Sequence, residues 1–368
     1  MSWLQMVLSL TASVLVIVSI FPLLRFDVWW IRAWDFPRVQ VLIVGVMILS
    51  ARWVLRHPMN PSEWILYGLV GLALALHVRR IFPYTSLASK QSLVAESVDS
   101  DRVLSLMVAN ILMHNRQAHR LVDVVQELQP DLLLVLEPDR WWAEQMAVLE
   151  ESYPYRIEKP LEDTYGMMFY SRLKLLEPEI RYLMDPGVPS MFARAVLDSG
   201  EIVDLHLLHP KPPYPAESTE TTERDAEILI AGLAAKTSGF PVVVAGDLND
   251  VAWSHTTRLF QRTSGMLDPR IGRGLYSTFH AEIPFLRWPL DHVFHSHHFK
   301  LVRIERPPAI GSDHFPVFVE LVLDEQGPIH QEAPTPQGSD FEEVIDKLDE
   351  ASDMSPDAEP EQPDPKPD

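Results

Sequence analysis

Two short segments set polar side chains where a strand gives way to a loop. Gly246-Asp247-Leu248-Asn249 follows the apolar run 241–245, so Asp247 and Asn249 fall at i and i+2 on one face as the strand opens. A carboxylate and a carboxamide so spaced can orient an attacking water and hold a phosphoryl oxygen. Gly311-Ser312-Asp313-His314-Phe315-Pro316 precedes another apolar run and sets a carboxylate beside an imidazole. That pair supplies a metal ligand and a ring for proton handling or phosphate binding. Asn110 closes the run 103–109, and Glu137 closes the run 132–136. Oxygen and imidazole ligands at strand ends suit a hard divalent cation such as Mg²⁺.

Taken singly, each residue has an ordinary explanation. Glu137 could be a solvated strand end, Asp247 and Asn249 turn residues with local hydrogen bonds, and Asp313-His314 a loop before a strand. The elements around them decide whether they can meet. Residues 103–112 read as a strand; 119–128 carry a helical stripe at Leu121, Val124, Val125 and Leu128; and 132–136 form a buried strand. Further strands are expected at 167–170, 192–197, 202–208, 242–245, 290–294 and 315–322, with helices near 219–235 and 253–262. This is the texture of an α/β domain with too few helices for one per strand.

The rest of the chain belongs to other environments. Of 368 residues, 47% are hydrophobic, yet the formal charge is −20. Residues 3–24 contain no Asp, Glu, Lys or Arg, and 39–55 and 64–77 are nearly as apolar, so three transmembrane helices are expected within 1–85. Trp29, Trp30 and Trp34 lie between the first two, where aromatic rings favour the headgroup zone. The first run has no basic residue before it and no cleavage site after it, so it is expected to remain as an anchor. Arg25, Arg32, Arg38, Arg79, Arg80 and Lys90 fall on one side of the spans, against Arg52 and Arg56 on the other. That imbalance favours the cytoplasm for the C-terminal domain.

Residues 86–101 read as a linker, 102–323 as the catalytic domain and 324–368 as a disordered acidic tail. The tail holds eight of the 31 prolines and fifteen acids against Lys347 and Lys366. Its −13 leaves −7 for the remainder, which argues against sequence-independent nucleic-acid binding. With no cysteine, thiolate nucleophiles, disulfides and zinc ribbons are excluded.

In chain order, Asn110, Glu137, His209, Gly246-Asp247-Leu248-Asn249, Leu290-Asp291-His292 and Gly311-Ser312-Asp313-His314 resemble the motif series of the endonuclease/exonuclease/phosphatase superfamily. Deoxyribonuclease I, exonuclease-type abasic endonucleases, inositol polyphosphate 5-phosphatases and sphingomyelinases belong to it. The resemblance spans residues 102–323 and implies a deoxyribonuclease I-like two-sheet α/β sandwich, with the site at the strand ends between the sheets. It implies that Glu137, Asn110 and Asp313 hold Mg²⁺, with Mn²⁺ as the alternative. Asp247 would then orient or deprotonate the water, and Asn249 would bind the scissile phosphate. His209 and His314 would steady charge on the phosphoryl oxygens, and Asp291 would fix the tautomer of His314. His206 competes with His209 for the histidine position. Strand alternation points the two to opposite faces, and His209, just before Pro210-Lys211-Pro212-Pro213, is preferred.

The expected protein is therefore a multi-pass membrane phosphoesterase that hydrolyses a phosphodiester or phosphomonoester. Its partners would be the lipid bilayer and a phosphate ester, with lipid-linked phosphates as candidates. An endonuclease or exonuclease on nucleic acid is the rival enzyme, disfavoured by the charge. A non-catalytic membrane scaffold is the other rival, disfavoured by the intact Asp247, Asn249 and His314. His295, His297 and His298 are read as a surface turn, Arg172 and Lys211 as solvent-facing, and Trp141 and Trp142 as packing. Oligomeric state leaves no trace in the sequence.

Overall fold

The apolar N-terminal runs fold as α1 (Trp3–Ile20), α3 (Arg38–Leu55) and α4 (Pro61–Ile81), with the four-residue α2 (Trp29–Arg32) in the first connection. This is a computed structural model describing residues 3–55, 58–214, 219–324 and 326–354; Arg56 of the charge count lies outside the described residues. α4 starts at a capping box: the Asn60 side chain accepts from the Glu63 N–H at 2.9 Å, and Glu63 accepts from the Asn60 N–H at 3.0 Å. The three long helices share a seam of Ala12, Leu15, Ile48, Tyr67, Val70 and Leu74. Their outer faces stay apolar and exposed, as at Leu10, Met47, Trp53 and Trp64. Extended by their terminal turns, the stretches Trp3–Leu23, Arg38–Leu55 and Pro61–Tyr84 are long and apolar enough to cross a membrane.

The following domain is built from β1 (Val103–Asn110), α5 (Ala118–Leu128), β2 (Leu132–Leu136), α6 (Arg140–Met146), β3 (Tyr155–Lys159), β4 (Met167–Ser171), β5 (Lys174–Arg181), β6 (Ser190–Val196), β7 (Ile202–Leu208), α7 (Thr222–Thr237), β8 (Val242–Asp247), α8 (His255–Ser264), β9 (Asp291–His295), β10 (Phe299–Glu305) and β11 (Val317–Leu323). One sheet runs β10-β11-β1-β2-β4-β3 and the other β5-β6-β7-β8-β9. Each contains one parallel pair, β1 with β2 and β7 with β8, and each pair is joined by a helix that must return along the outside of the sheet.

Strand alternation explains the layers. Leu104, Leu106 and Val108 of β1 face the core between the sheets, where they meet Leu205, Leu207, Val243 and Ala245. Met107 and Ala109 face outward onto α5 and α6. On the other sheet, Val242 and Val244 face outward onto α7 and α8. Burial on both faces is why these strands read as unbroken apolar runs. The expected two-sheet sandwich and the three apolar helices are both present. β3, β5 and β10, which mix charged with apolar residues, were missed.

Two stretches depart from expectation. The linker 86–101 is tied down: the Leu301 N–H donates to the Leu93 carbonyl at 2.8 Å, and the Ala95 N–H donates to the Leu301 carbonyl at 2.9 Å. The tail expected to be disordered contains α9 (Gly327–His330) and α10 (Asp340–Met354). Val344, Leu348 and Ala351 repeat at helical spacing along α10 and pack against α7 and α8. Arg262 secures its first turn, donating to Asp340 at 2.7 and 2.9 Å. Averaged composition hid this narrow apolar stripe. The rest of the expected tail, 355–368, lies outside the described residues.

The two-sheet domain is joined to the α1–α3 connection by main-chain bonds and buried charge. The Trp29 N–H donates to the Thr219 carbonyl at 3.0 Å, and the Thr221 N–H to the Asp27 carbonyl at 2.9 Å. Arg32, 4% exposed, reaches Asp225 at 3.2 Å and Thr256 at 2.8 Å. Trp253 donates its indole N–H to the Asp35 carbonyl at 2.7 Å.

Candidate active site

The two parallel pairs end at one edge of the sandwich, which is why Asn110 (end of β1), Glu137 (after β2), His209 (after β7) and Asp247 (end of β8) come together. β9 runs antiparallel to β8, so its first residue, Asp291, falls directly opposite Asp247 in register. β11 is likewise antiparallel to β1, and the loop that enters it delivers Asp313 and His314 to the same edge. A topology with parallel centres and antiparallel flanks therefore gathers residues spread over two hundred positions.

The contacts are direct. His314 Nδ1 lies 2.7 Å from Asp291 Oδ2, and its Nε2 lies 3.6 Å from Asp247 Oδ2. The Asn110 amide donates to Glu137 Oε1 at 2.8 Å and to Asp247 Oδ2 at 3.2 Å, bridging the carboxylates of the two sheets. Asp247 Oδ1 accepts from the Asn249 N–H at 2.9 Å, and the Asn249 amide donates to the Pro210 carbonyl at 2.9 Å. Glu137 and Asn249 both have left-handed backbone, at φ 66° and 49°. Such conformations cost of order 1–3 kcal/mol each and concentrate at functional sites. Gly246 has φ 147°, and a Cβ there would come within 1.8 Å of the Leu208 carbonyl oxygen, so only glycine lets β8 approach β7 this closely.

Burial sets the charge states. It pushes the Glu137 carboxyl up to about 7, against the opposing Asn110 hydrogen bond, and it also raises Asp291. Burial works against protonation of His314, but the flanking Asp291 and Asp247 carboxylates prevail and lift it to about 10. For His209 burial prevails and lowers the pKa, leaving a neutral ring. One side chain is thus a held cation and the other a neutral donor or acceptor.

Glu137, His209, Asp247, Asn249, Asp313 and His314 all line a single cavity of about 760 Å³. Asp291 lies beneath them, its Oδ1 buried without a hydrogen-bond partner. The expected ligands Asn110, Glu137 and Asp313 sit at this edge, but the group whose ligand atoms lie within 4.8 Å of one another is Asp247, Asp291 and His314. Four carboxylates at one end of the cavity, one with an unpartnered oxygen, offer the oxygen-rich donors that suit Mg²⁺ or Mn²⁺.

His206 is turned away, packed on Phe192 at 5.0 Å between ring centroids and 3.5 Å from Asp204. His292 also faces away from the cavity, its Nδ1 accepting from the Arg270 guanidinium at 2.7 Å. His295 is not on a surface turn: it is fully buried, bonded to the Ser296 carbonyl and to Ser92 Oγ. Lys211 pairs with Asp185, Arg172 lies over Tyr153, and Trp142 is fully buried beside Trp141.

The apolar half of the cavity was not anticipated. Trp29, Trp34, Phe36 and Pro37 of the α1–α3 connection form one wall, and Tyr165, Phe279 and Trp288 contribute others. The sequence signalled the tryptophans as headgroup-zone residues, but nothing in local spacing connects residue 34 with residue 247. Beside this cavity, the loop 283–286 exposes Ile283, Phe285 (81%) and Leu286, and its Phe285 carbonyl accepts from Gln40 of α3 at 2.7 Å.

The profile of the Endonuclease/Exonuclease/phosphatase family matches residues 107–314. Among solved structures, D. rerio TDP2 humanized by 14 mutations is similar at a TM-score of 0.50 and 16% identity, over 60% of this chain and 99% of that one. The human Nocturnin catalytic domain with bound sulfate anion gives 0.48 and 16%, over 62% and 96%. An endonuclease/exonuclease/phosphatase from Beutenbergia cavernae DSM 12333 gives 0.48 and 17%, over 61% and 72%. At 16% identity the likeness to the humanized D. rerio TDP2 is one of fold. No curated protein matches the chain.

Proposed function

The chain belongs to the endonuclease/exonuclease/phosphatase family, and from that premise we propose that it is a membrane-anchored, Mg²⁺-dependent phosphoesterase acting on a lipid-linked phosphate ester. The observation that carries the reading is the two-sided cavity: carboxylates and imidazoles at one end, and at the other an aromatic wall supplied by the connection between two bilayer-length helices. A phosphate group suits the first and an acyl or prenyl chain the second. The exposed apolar loop 283–286 beside α3 would let such a chain pass from the leaflet into the cavity.

Glu137, Asn110 and Asp313 would hold the ion, which when bound stabilises negative charge on the phosphoryl oxygens. Asp247 accepts a proton from the attacking water and aims its lone pair. Asn249 keeps one amide hydrogen on Pro210 and directs the other at the phosphate. His314, held as a cation by Asp291, donates to a developing oxyanion, and His209 does so as a neutral ring. Catalysis is then positioning and electrostatics, as phosphoryl transfer requires. The imbalance of basic residues across the spans favours the cytoplasmic face for this domain, and reporter fusions after residue 323 should be active only in cytoplasmic format.

The test is a substrate panel on full-length protein in mixed micelles: phospholipids, polyprenyl pyrophosphates, soluble inositol phosphates and single-stranded DNA, each with Mg²⁺ and with EDTA. Mg²⁺-dependent turnover should be fastest on a lipid-linked substrate. Faster cleavage of DNA would replace the lipid reading with the nuclease, and no turnover on any substrate would favour the scaffold.

A further inference from the structure

A second cavity, of about 570 Å³, opens where the ends of α1 and α4 meet α8 and the start of α10. It shares no lining residue with the catalytic cavity. Arg25, Arg38, Arg79, Arg80, Arg258 and Arg262 all line it, drawn from the α1–α3 connection, the adjoining helix ends and α8. Six guanidiniums around one hollow repel one another unless anions sit among them.

Three carboxylates do part of that. Asp35 pairs with Arg38 at 2.5 Å, and Arg262 makes its two-pronged contact with Asp340. Glu343 lies 3.4 Å from Arg25 and also meets His255. The excess is borne by Arg79, Arg80 and Arg258, which form no ion pair among the described residues; Arg258 donates only to the Ser254 carbonyl at 3.2 Å. Ser19, Leu23 and Leu76, at or near the ends of bilayer-length helices, complete the lining and set the hollow at headgroup depth.

We propose that this cavity is a phosphate-binding site, taking the headgroup phosphate of an anionic phospholipid or free inorganic phosphate, and that Asp340 and Glu343 of α10 compete with it for the same arginines. Planar guanidiniums converging from separate elements match the oxygens of a phosphate group, which lysines would meet only as point charges. Asp340 and Glu343 show the mode of binding, since each already offers carboxylate oxygens to this cluster. The acidic tail helix would thereby exchange with a membrane anion. The inference is independent of the catalytic reading.

The experiment uses the full-length protein and two probes. In one arm, native mass spectrometry measures retention of phosphatidylglycerol against phosphatidylcholine from mixed nanodiscs. In the other, inorganic phosphate is titrated in neutral detergent while the thermal midpoint is followed. Phosphatidylglycerol retention without a response to inorganic phosphate assigns the lipid headgroup, and the converse assigns the free anion.

In whichever arm responds, Arg79→Gln combined with Arg258→Gln should weaken binding by about tenfold or more, because two charge-assisted contacts are lost. These two side chains anchor no ion pair, so the fold should tolerate the change. Asp340→Asn with Glu343→Gln should tighten binding, and Asp247→Asn should leave it unchanged. No response to either probe, or indifference to the arginine pair, overturns the site. Loss of binding in Asp247→Asn would move the anion to the catalytic cavity, and unchanged affinity in the Asp340/Glu343 variant would remove the competition.

Discussion

The carboxylate-lined cavity and the arginine cavity both take lining from the short stretch between α1 and α3, yet they are built for opposite charge. The first gathers Glu137, Asp247, Asp291 and Asp313 around His314 and, under the proposed function, takes a cation before it holds a phosphate. The second gathers six arginines and can hold a phosphate unaided. The contrast separates two tasks that both involve phosphate. A site that must stabilise charge only in the transition state works through a metal and placed donors, whereas a site that binds without turnover needs only complementary guanidiniums.

Asp247→Asn tests the contrast most severely. Hydrolysis should fall by about a thousandfold, the loss expected when a charged participant in the transition state is removed, with the thermal midpoint unchanged. Retained activity would mean that the first cavity is merely another anion site.

The shared connection is tested by Arg32→Ala, which leaves the buried Asp225 with Arg224 as its one ion-pair partner among the described residues. A loss of about 3 kcal/mol is expected, read as a lower thermal midpoint and faster proteolysis near residue 27. Both cavities should be disturbed together, and if only one responds, the connection does not hold the two in common.

A smaller effect comes from the body of the domain, away from both cavities. Glu227 of α7 is buried with Ser190 Oγ donating to it at 2.6 Å, and burial raises its pKa from 4.5 to about 7. Because the folded value is raised, its contribution to stability is complete below about 4.5 and is lost as pH rises through about 7. Glu227→Gln should therefore stabilise the protein by about 2 kcal/mol at high pH and have almost no effect near pH 4.5. Melting curves across that range would show it, and a pH-independent difference would contradict the sign. Since the residue touches neither cavity, phosphate binding and turnover should follow only through stability.

Trp34→Ala sharpens the substrate side. Removing this wall should raise KM for a lipid-linked substrate about tenfold while leaving turnover of a short-chain soluble ester unchanged, since only the chain contacts the indole. Equal losses on both substrates would make the wall a structural support rather than a chain-binding surface.

How much of this the sequence disclosed follows from the range of the interactions. The polar residues at strand ends were legible because each is set by its own strand: Asp247 and Asn249 by the run before them, and Asp313 and His314 by the run after. That Asp291 faces Asp247 depends on the register of β9 against β8, which the motif order suggested but local spacing could not derive. The aromatic wall depends on the docking of residues 29–37 onto a domain two hundred residues away, and the arginine cavity on four stretches meeting. Neither leaves a periodic signal. α10 is hidden in the sequence because three small or aliphatic residues on one face are diluted by the acids around them.

The proposed mechanism requires side chains from both sheets to converge on one divalent ion and one phosphate. The decisive experiment is calorimetric titration of the full-length protein with Mg²⁺, alongside Glu137→Gln and Asp247→Asn and paired with hydrolysis assayed with and without EDTA. Mg²⁺ should bind the wild type and bind Glu137→Gln more weakly in step with lost activity, whereas Asp247→Asn should lose hydrolysis even at saturating Mg²⁺. Hydrolysis that persists in EDTA or in Asp247→Asn, or Mg²⁺ affinity indifferent to Glu137→Gln, would overturn this mechanism.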